Sequence, residues 1–172
     1  MSKRTMMFFL LLTLVFSTVA CSAKPSEKEL NKLFLNRLQQ TLQREKDVKN
    51  IGDKFFYYVN KPGGFGRDSS VTFYYIAGSE IIKKTDDATL DLYPYIGKVY
   101  LVEYGQYVAI HKEYDQDKIK ALADELYKMS LIKLKELSEK SYSGFTLQGY
   151  DNIHLSTFTY AWGKKSKKWH ID

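Results

Sequence analysis

The chain has 172 residues, 44% of them apolar, and a formal net charge of +6. That is enough for one domain with a real core, and no segment is low in complexity or internally repeated. One cysteine excludes an internal disulfide, and basicity this mild does not call for nucleic acid. Fourteen Tyr and ten Phe favour pleated, half-buried surfaces, and so a sheet-rich domain.

Residues 1–20, MSKRTMMFFLLLTLVFSTVA, follow the secretory signal pattern. Lys3 and Arg4 form the positive start, an apolar stretch follows, and small residues precede Cys21. The stretch is short for a helix that needs about 20 apolar residues to span a bilayer. Without Lys3 and Arg4 the remaining chain is about +4. A lone thiol at a cleavage position, away from any core segment, needs a reason of its own. Thr18-Val19-Ala20-Cys21 resembles the bacterial lipobox, with Thr18 where that family usually has Leu. The resemblance covers only the first 21 residues. It implies a signal cut before Cys21, a diacylglycerol on the thiol, and an acylated (palmitate-bearing) new N-terminus. Two or three acyl chains anchor firmly, since each buried CH₂ contributes about 0.8 kcal/mol. The alternatives are simple secretion with cleavage after Ala20 or Ala23, and a retained N-terminal anchor. Ser22 stands where Asp would retain a Gram-negative lipoprotein at the inner membrane. The resemblance therefore implies the outer membrane there, or the outer face of the cytoplasmic membrane in a Gram-positive cell. The expected plan is a signal peptide over 1–20, a lipidated N-terminus and tether over 21–25, and a single α+β domain over 26–172.

Ser26-Glu27-Lys28-Glu29 is a capping box. Leu30, Leu33, Phe34, Leu38 and Leu42 follow as one helical face that ends near 44–46. Residues 53–60, DKFFYYVN, and 70–76, SVTFYYI, read as a hairpin around the loop 61–68. Ala77-Gly78-Ser79 is a turn or a bulge, after which 80–84 can continue the strand. A short strand at 90–95 carries Pro94, a sign of an edge. Residues 98–103 and 106–112 read as a tighter hairpin about Tyr104-Gly105, with Val99, Leu101 and Glu103 on one side and Tyr100, Val102 and Tyr104 on the other. One helix starts at Asp115 or Asp117 and runs to about 140. Strands at 145–149, 153–162 and 169–171 close the domain. The order, one helix, five strands, one long helix and three strands, predicts an α+β fold with a mainly antiparallel curved sheet, of a cystatin-like or NTF2-like kind.

The chemistry-bearing patterns are sparse. PGGFG at 62–66 has neither phosphate-loop spacing nor a helix after it, so it reads as a hairpin loop. His111, His154 and His170 fall on separate strands with no metal-ligand spacing. A histidine with Glu113 or Asp151 as an acid–base couple is formally open, but there is no G-x-S-x-G and no free thiol. The FFYY and FYY clusters alternate faces, one for the core and one for a sheet surface on which Phe55 with Tyr57, or Phe56 with Tyr58, would lie. WGKKSKKW, residues 162–169, sets four lysines between two indoles. It reads either as a solvated turn with each Trp packed at its base or as an anionic-surface contact through Trp162, Lys164, Lys165, Lys167, Lys168 and Trp169.

These readings lead to an expected envelope lipoprotein, non-enzymatic, that binds a protein or glycan partner in an immunity, exclusion or accessory role. The alternatives are an envelope-acting hydrolase and a structural or stress-related lipoprotein. No catalytic residue, metal, cofactor or nucleic-acid partner is expected. The assigned site residue is Cys21.

Overall fold

The Ser26 hydroxyl accepts from the Glu29 N–H, and the Glu29 carboxylate accepts from the Ser26 N–H, so the capping box forms as the sequence demands. It opens α1 (Glu27–Leu42), whose Leu30, Phe34, Leu38 and Leu42 lie four residues apart on one buried stripe. The computed structural model describes residues 25–43, 48–60, 69–85, 92–108, 115–141 and 144–171. Cys21, the 61–68 loop, His111 and Glu113 lie outside the described residues.

Four strands follow α1: β1 (Lys49–Ile51), β2 (Phe55–Asn60), β3 (Ser69–Lys83) and β4 (Tyr95–Val108). Two helices, α2 (Gln116–Lys128) and α3 (Leu131–Glu139), precede β5 (Phe145–Leu147), β6 (Tyr150–Gly163) and β7 (Lys168–Ile171). The strands form one antiparallel sheet in the order β1-β2-β3-β4-β6-β5, with β7 also paired to β6. The expected α+β architecture with a curved antiparallel sheet is present, and the sheet bends into a half-barrel.

Three expectations are corrected. No hairpin forms at Tyr104-Gly105: β4 runs straight through, and Gly105 and Gln106 pair with Thr72 and Val71. The 15-residue β3 offers an uninterrupted partner, and Gly105 is not in the left-handed region that a tight turn would use. Of the strand expected at 90–95, residues 90 and 91 lie outside the described residues, 92–94 are not strand, and β4 begins at Tyr95; the Pro94 carbonyl accepts from the Lys84 N–H across the β3–β4 connection. The long second helix is two helices. Met129 is extended and the Ser130 hydroxyl accepts from the Lys133 N–H, so a serine cap stops one helix and starts the next. The described residues also add β1, joined to β2 through Gly52 at φ +68°, where the sequence reading had only a connection.

Each face of the sheet has its own core. Leu30, Phe34, Leu38 and Leu42 of α1 cover Phe56, Ile76, Val99, Leu101 and Tyr160. On the opposite face α2 and α3 place Ile119, Leu122, Ala123, Leu126 and Leu134 over Phe55, Phe73, Tyr75, Val102 and Tyr104. The Tyr127 hydroxyl donates to the Ile51 carbonyl at 2.8 Å and ties α2 to the β1–β2 turn. The Tyr150 hydroxyl donates to the Lys118 carbonyl and ties β6 to the start of α2.

Continuation of β3 past Gly78 depends on a bulge at Ala77. Ile76 pairs with Leu101, and Gly78 with Tyr100, so one residue is inserted. Odd residues of β3 face α2 and α3 before the bulge, and even residues after it. Leu131 of α3 packs on Gly78, where an added Cβ would lie 3.3 Å from its Cδ2. Two residues on, Glu80 meets α3 again. Its carboxylate accepts from Lys135 Nζ at 2.5 Å and from the Tyr100 hydroxyl at 2.9 Å, and the ammonium sits 4.1 Å above the Tyr100 ring.

The Lys135 hydrogen bond holds the Glu80 carboxyl below its ordinary pKa, against a smaller upward push from burial. Burial pulls the Lys135 ammonium down, but its contacts with Glu80 and Tyr100 outweigh this and leave its pKa raised. The acid's folded pKa is depressed. Its contribution is therefore present above the unfolded carboxylate value, about 4.3, and is lost as pH falls through the folded value. The lysine's contribution is lost only at strongly alkaline pH. Denaturant melts of E80Q should accordingly lie below the parent at pH 7 and converge with it in acid; a gap that persists at pH 3 would disprove the linkage.

Candidate functional site

α1 covers only part of its face of the sheet. The register row at its C-terminal end crosses five strands: Asn50, Phe56, Tyr74, Glu103 and His154 are successive partners. At strand spacing this row is about 19 Å long. The next row holds Tyr58, Thr72 and Gly105. Phe56 is buried under α1, whereas Tyr58, Thr72, Tyr74 and Glu103 are half-buried and His154 is exposed. The rings of Tyr58 and Tyr74 stack with centroids 6.5 Å apart at 22°.

Glu103 is the chemically distinctive member. Burial raises its carboxyl above the ordinary range, and the His154 charge on the next strand lowers it only partly. Among the described residues no hydrogen bond or salt bridge satisfies this carboxylate. Its oxygens keep contact with solvent, so the cost of ionising it is the partial desolvation that raises its pKa, not that of a fully buried unpaired group. At the opposite end of the row, a groove of about 330 Å³ opens between α1 and β1. It is lined by Gln39, Gln43, Lys49 and Asn50 together with Leu42, Val48 and Phe56. Apolar side chains beside a few polar groups are a usual composition of a binding site.

The cost at Glu103 can be measured. Its folded pKa is raised, so the stability it contributes is present below the unfolded value, about 4.3, and is lost as pH rises through the folded one. At pH 7 the ionised group is a penalty. E103Q should raise Tm by about 1–3 °C at pH 7 and leave it unchanged near pH 3. A lower Tm at pH 7 would show that the carboxylate is satisfied after all.

The other singled-out residues fall elsewhere. In WGKKSKKW the four lysines are exposed, but Trp162 is only 7% exposed and Trp169 is half-buried against the α1 core. The two indoles meet edge to face at 5.3 Å, and the Lys167 N–H closes the turn on the Gly163 carbonyl. The turn therefore presents its lysines and Ser166 to solvent, and not its indoles. His154 faces the α1 side of the sheet, whereas His170, the partner of Ala161, faces the other side, where its ring nitrogen lies 2.8 Å from the Ser166 hydroxyl. Among the described residues no three His, Asp or Glu side chains gather closely enough to hold a metal ion. Asp151 acts electrostatically on Tyr104, in the α2/α3 core, so the carboxylate beside His154 is Glu103. Of the aromatic alternation, Phe55 and Tyr57 belong to the α2/α3 core, and Tyr58 to the partly open face.

The sequence does not single out Glu103 as a site residue, because it reads as the polar end of the Val99-Leu101-Glu103 alternation. A carboxylate closing an apolar strand face was the available signal. Among the described residues no helix is long and apolar enough to cross a membrane. No protein-family model, no curated protein and no solved structure matches the chain at a significant level.

Proposed function

We propose that this is a bacterial envelope lipoprotein, held by acyl groups on Cys21, whose domain binds a protein or glycan partner through the open half of the α1 face without catalysing a reaction. The observation that carries the binding role is Glu103, a half-buried carboxylate with a raised pKa and no hydrogen bond to protein among the described residues, between Tyr74 and His154. Natural folds keep such stability costs where function requires them. The anchor rests on the apolar segment before a lone cysteine. The roles this reading covers are immunity to a toxin, exclusion of an incoming factor and accessory work in an envelope complex. A finer likeness to cystatin-like or NTF2-like sheets belongs to the same proposal.

The test has two arms. C21S should lose fatty-acid labelling and membrane fractionation, and normal labelling would overturn the anchor. Capture from native envelope with the lipidated protein should recover a partner that E103Q loses, and equal recovery would overturn the site. A second reading, hydrolysis of an envelope polymer, draws on the same Glu103–His154 pair, since a carboxyl with a raised pKa beside an imidazole can transfer protons. The exposure of His154 on an open sheet face favours binding, because acid–base chemistry of this kind gains from excluding water.

A further inference from the structure

β6 pairs along one edge with β4, from His154 opposite Glu103 to Trp162 opposite Tyr95. Its other edge is covered at the start by β5, at Tyr150 and Ile153, and at the end by β7, from Tyr160 to Gly163. Between them, residues 154–159 have no strand on that side among the described residues. Six residues span about 20 Å, and the outward N–H and C=O groups of such an edge are a template for a further strand.

The gap is closed at both ends, which limits what can enter. Two copies cannot pair β6 to β6, because the continuation of one strand would run into β5 or β7 of the other. The occupant has to be a short extended segment that enters and leaves the sheet plane within about six residues. Charge narrows it further. Residues 152–171 carry four Lys and two His and no Asp or Glu. Lys164, Lys165, Lys167 and Lys168 are exposed, and the Arg37 guanidinium of α1 lies 5.9 Å above the Tyr160 ring at the end of the gap. The four residues of β7 separate the gap from the lysine turn by about 13 Å. Phe158, 38% exposed and 5.0 Å from the Phe34 ring, offers an apolar contact within the gap.

We propose that residues 154–159 take up an acidic, extended segment of a partner protein as an added strand, and that acidic residues beyond the paired stretch are held by the lysines of the turn. Main-chain pairing supplies the fit, and the basic edge selects the sign of the partner. This surface shares His154 with the Glu103 row but uses the opposite edge of β6, and its test changes neither Glu103 nor His154.

The probe is a fluorescein-labelled peptide of alternating Val and Thr with Glu residues at both ends. Three comparisons go with it: the same peptide with Lys for Glu, the same peptide with Pro at two central positions, and phosphatidylglycerol vesicles. Anisotropy with the full mature chain should show salt-sensitive binding of the acidic peptide alone, and residues 154–159 should gain amide protection. T157E, at an exposed position in the gap, and the variant with all four turn lysines changed to Gln should each weaken binding roughly tenfold or more. Equal binding of the Pro-containing peptide would overturn strand addition. Protection elsewhere, or no binding, would overturn the site. Lysine-dependent vesicle binding without peptide binding would assign the turn to a membrane surface instead.

Discussion

Replacing Phe73 with alanine should cost about 3–5 kcal/mol, the range for deleting a fully packed aromatic ring. Phe73 is 2% exposed, and its ring neighbours among the described residues include Phe55 at 5.9 Å, Tyr57 at 6.2 Å and Tyr104 at 5.5 Å. Those partners come from β2 and β4, and α2 lies across the same core, so a cavity here loosens three strands and a helix together. For a domain stable by roughly 5–15 kcal/mol, the loss is a large part of the total. Urea unfolding of F73A should show a much lower midpoint with an unchanged slope. F158A makes the comparison: Phe158 is 38% exposed and touches Phe34, so its loss should cost about 1 kcal/mol or less. Similar costs for the two variants would mean that the α2/α3 core is not the main source of stability.

Gly97→Ala should destabilise by about 1–3 kcal/mol, and Gly97→Leu should prevent folding at ordinary temperature. The reason is space. Gly97 does not need a left-handed backbone, but a Cβ there would lie 2.6 Å from Leu30 Cδ2 and 2.8 Å from the Trp169 ring. Leu30 is fully buried and Trp169 packs against the same core, so neither can move aside cheaply. α1 and β7 both close on β4 at this point. In a double-mutant cycle, G97A should cost less when Leu30 is already alanine, because one of the two obstructions has gone. Full additivity would show that the clash is relieved elsewhere. The indole emission of Trp169 should shift in G97A if the strand pair opens at that end.

Local physics was legible in the chain. The Ser26 box and the Leu30-Phe34-Leu38-Leu42 stripe specify α1 through hydrogen bonds and side chains within a few residues of one another. The same holds for the alternation of β2 and β3, and for the break expected at Ala77-Gly78-Ser79, a turn or a bulge by sequence and a bulge in the structure. Tyr104-Gly105 looked like a turn because a strand's length depends on its partner, and β3 is distant in sequence until the sheet forms. Met129-Ser130 looked like the middle of one helix because its stripe continues in phase, while the serine cap is decided by a single hydrogen bond.

Glu103 shows the same division. Its strand parity, shared with Val99 and Leu101, was readable from a period of two. Its position beyond the end of α1, beside Tyr74 and His154, follows from the register of three strands and the length of a helix 60 residues away. The open edge at 154–159 is likewise invisible in β6 alone, since it exists only because β5 and β7 each stop short. By itself the sequence determined the elements with local causes: caps, stripes, alternation, and the signal-like segment before Cys21. Only the tertiary structure decided which faces and edges stay uncovered, because exposure depends on where other elements end, and no residue encodes that by itself.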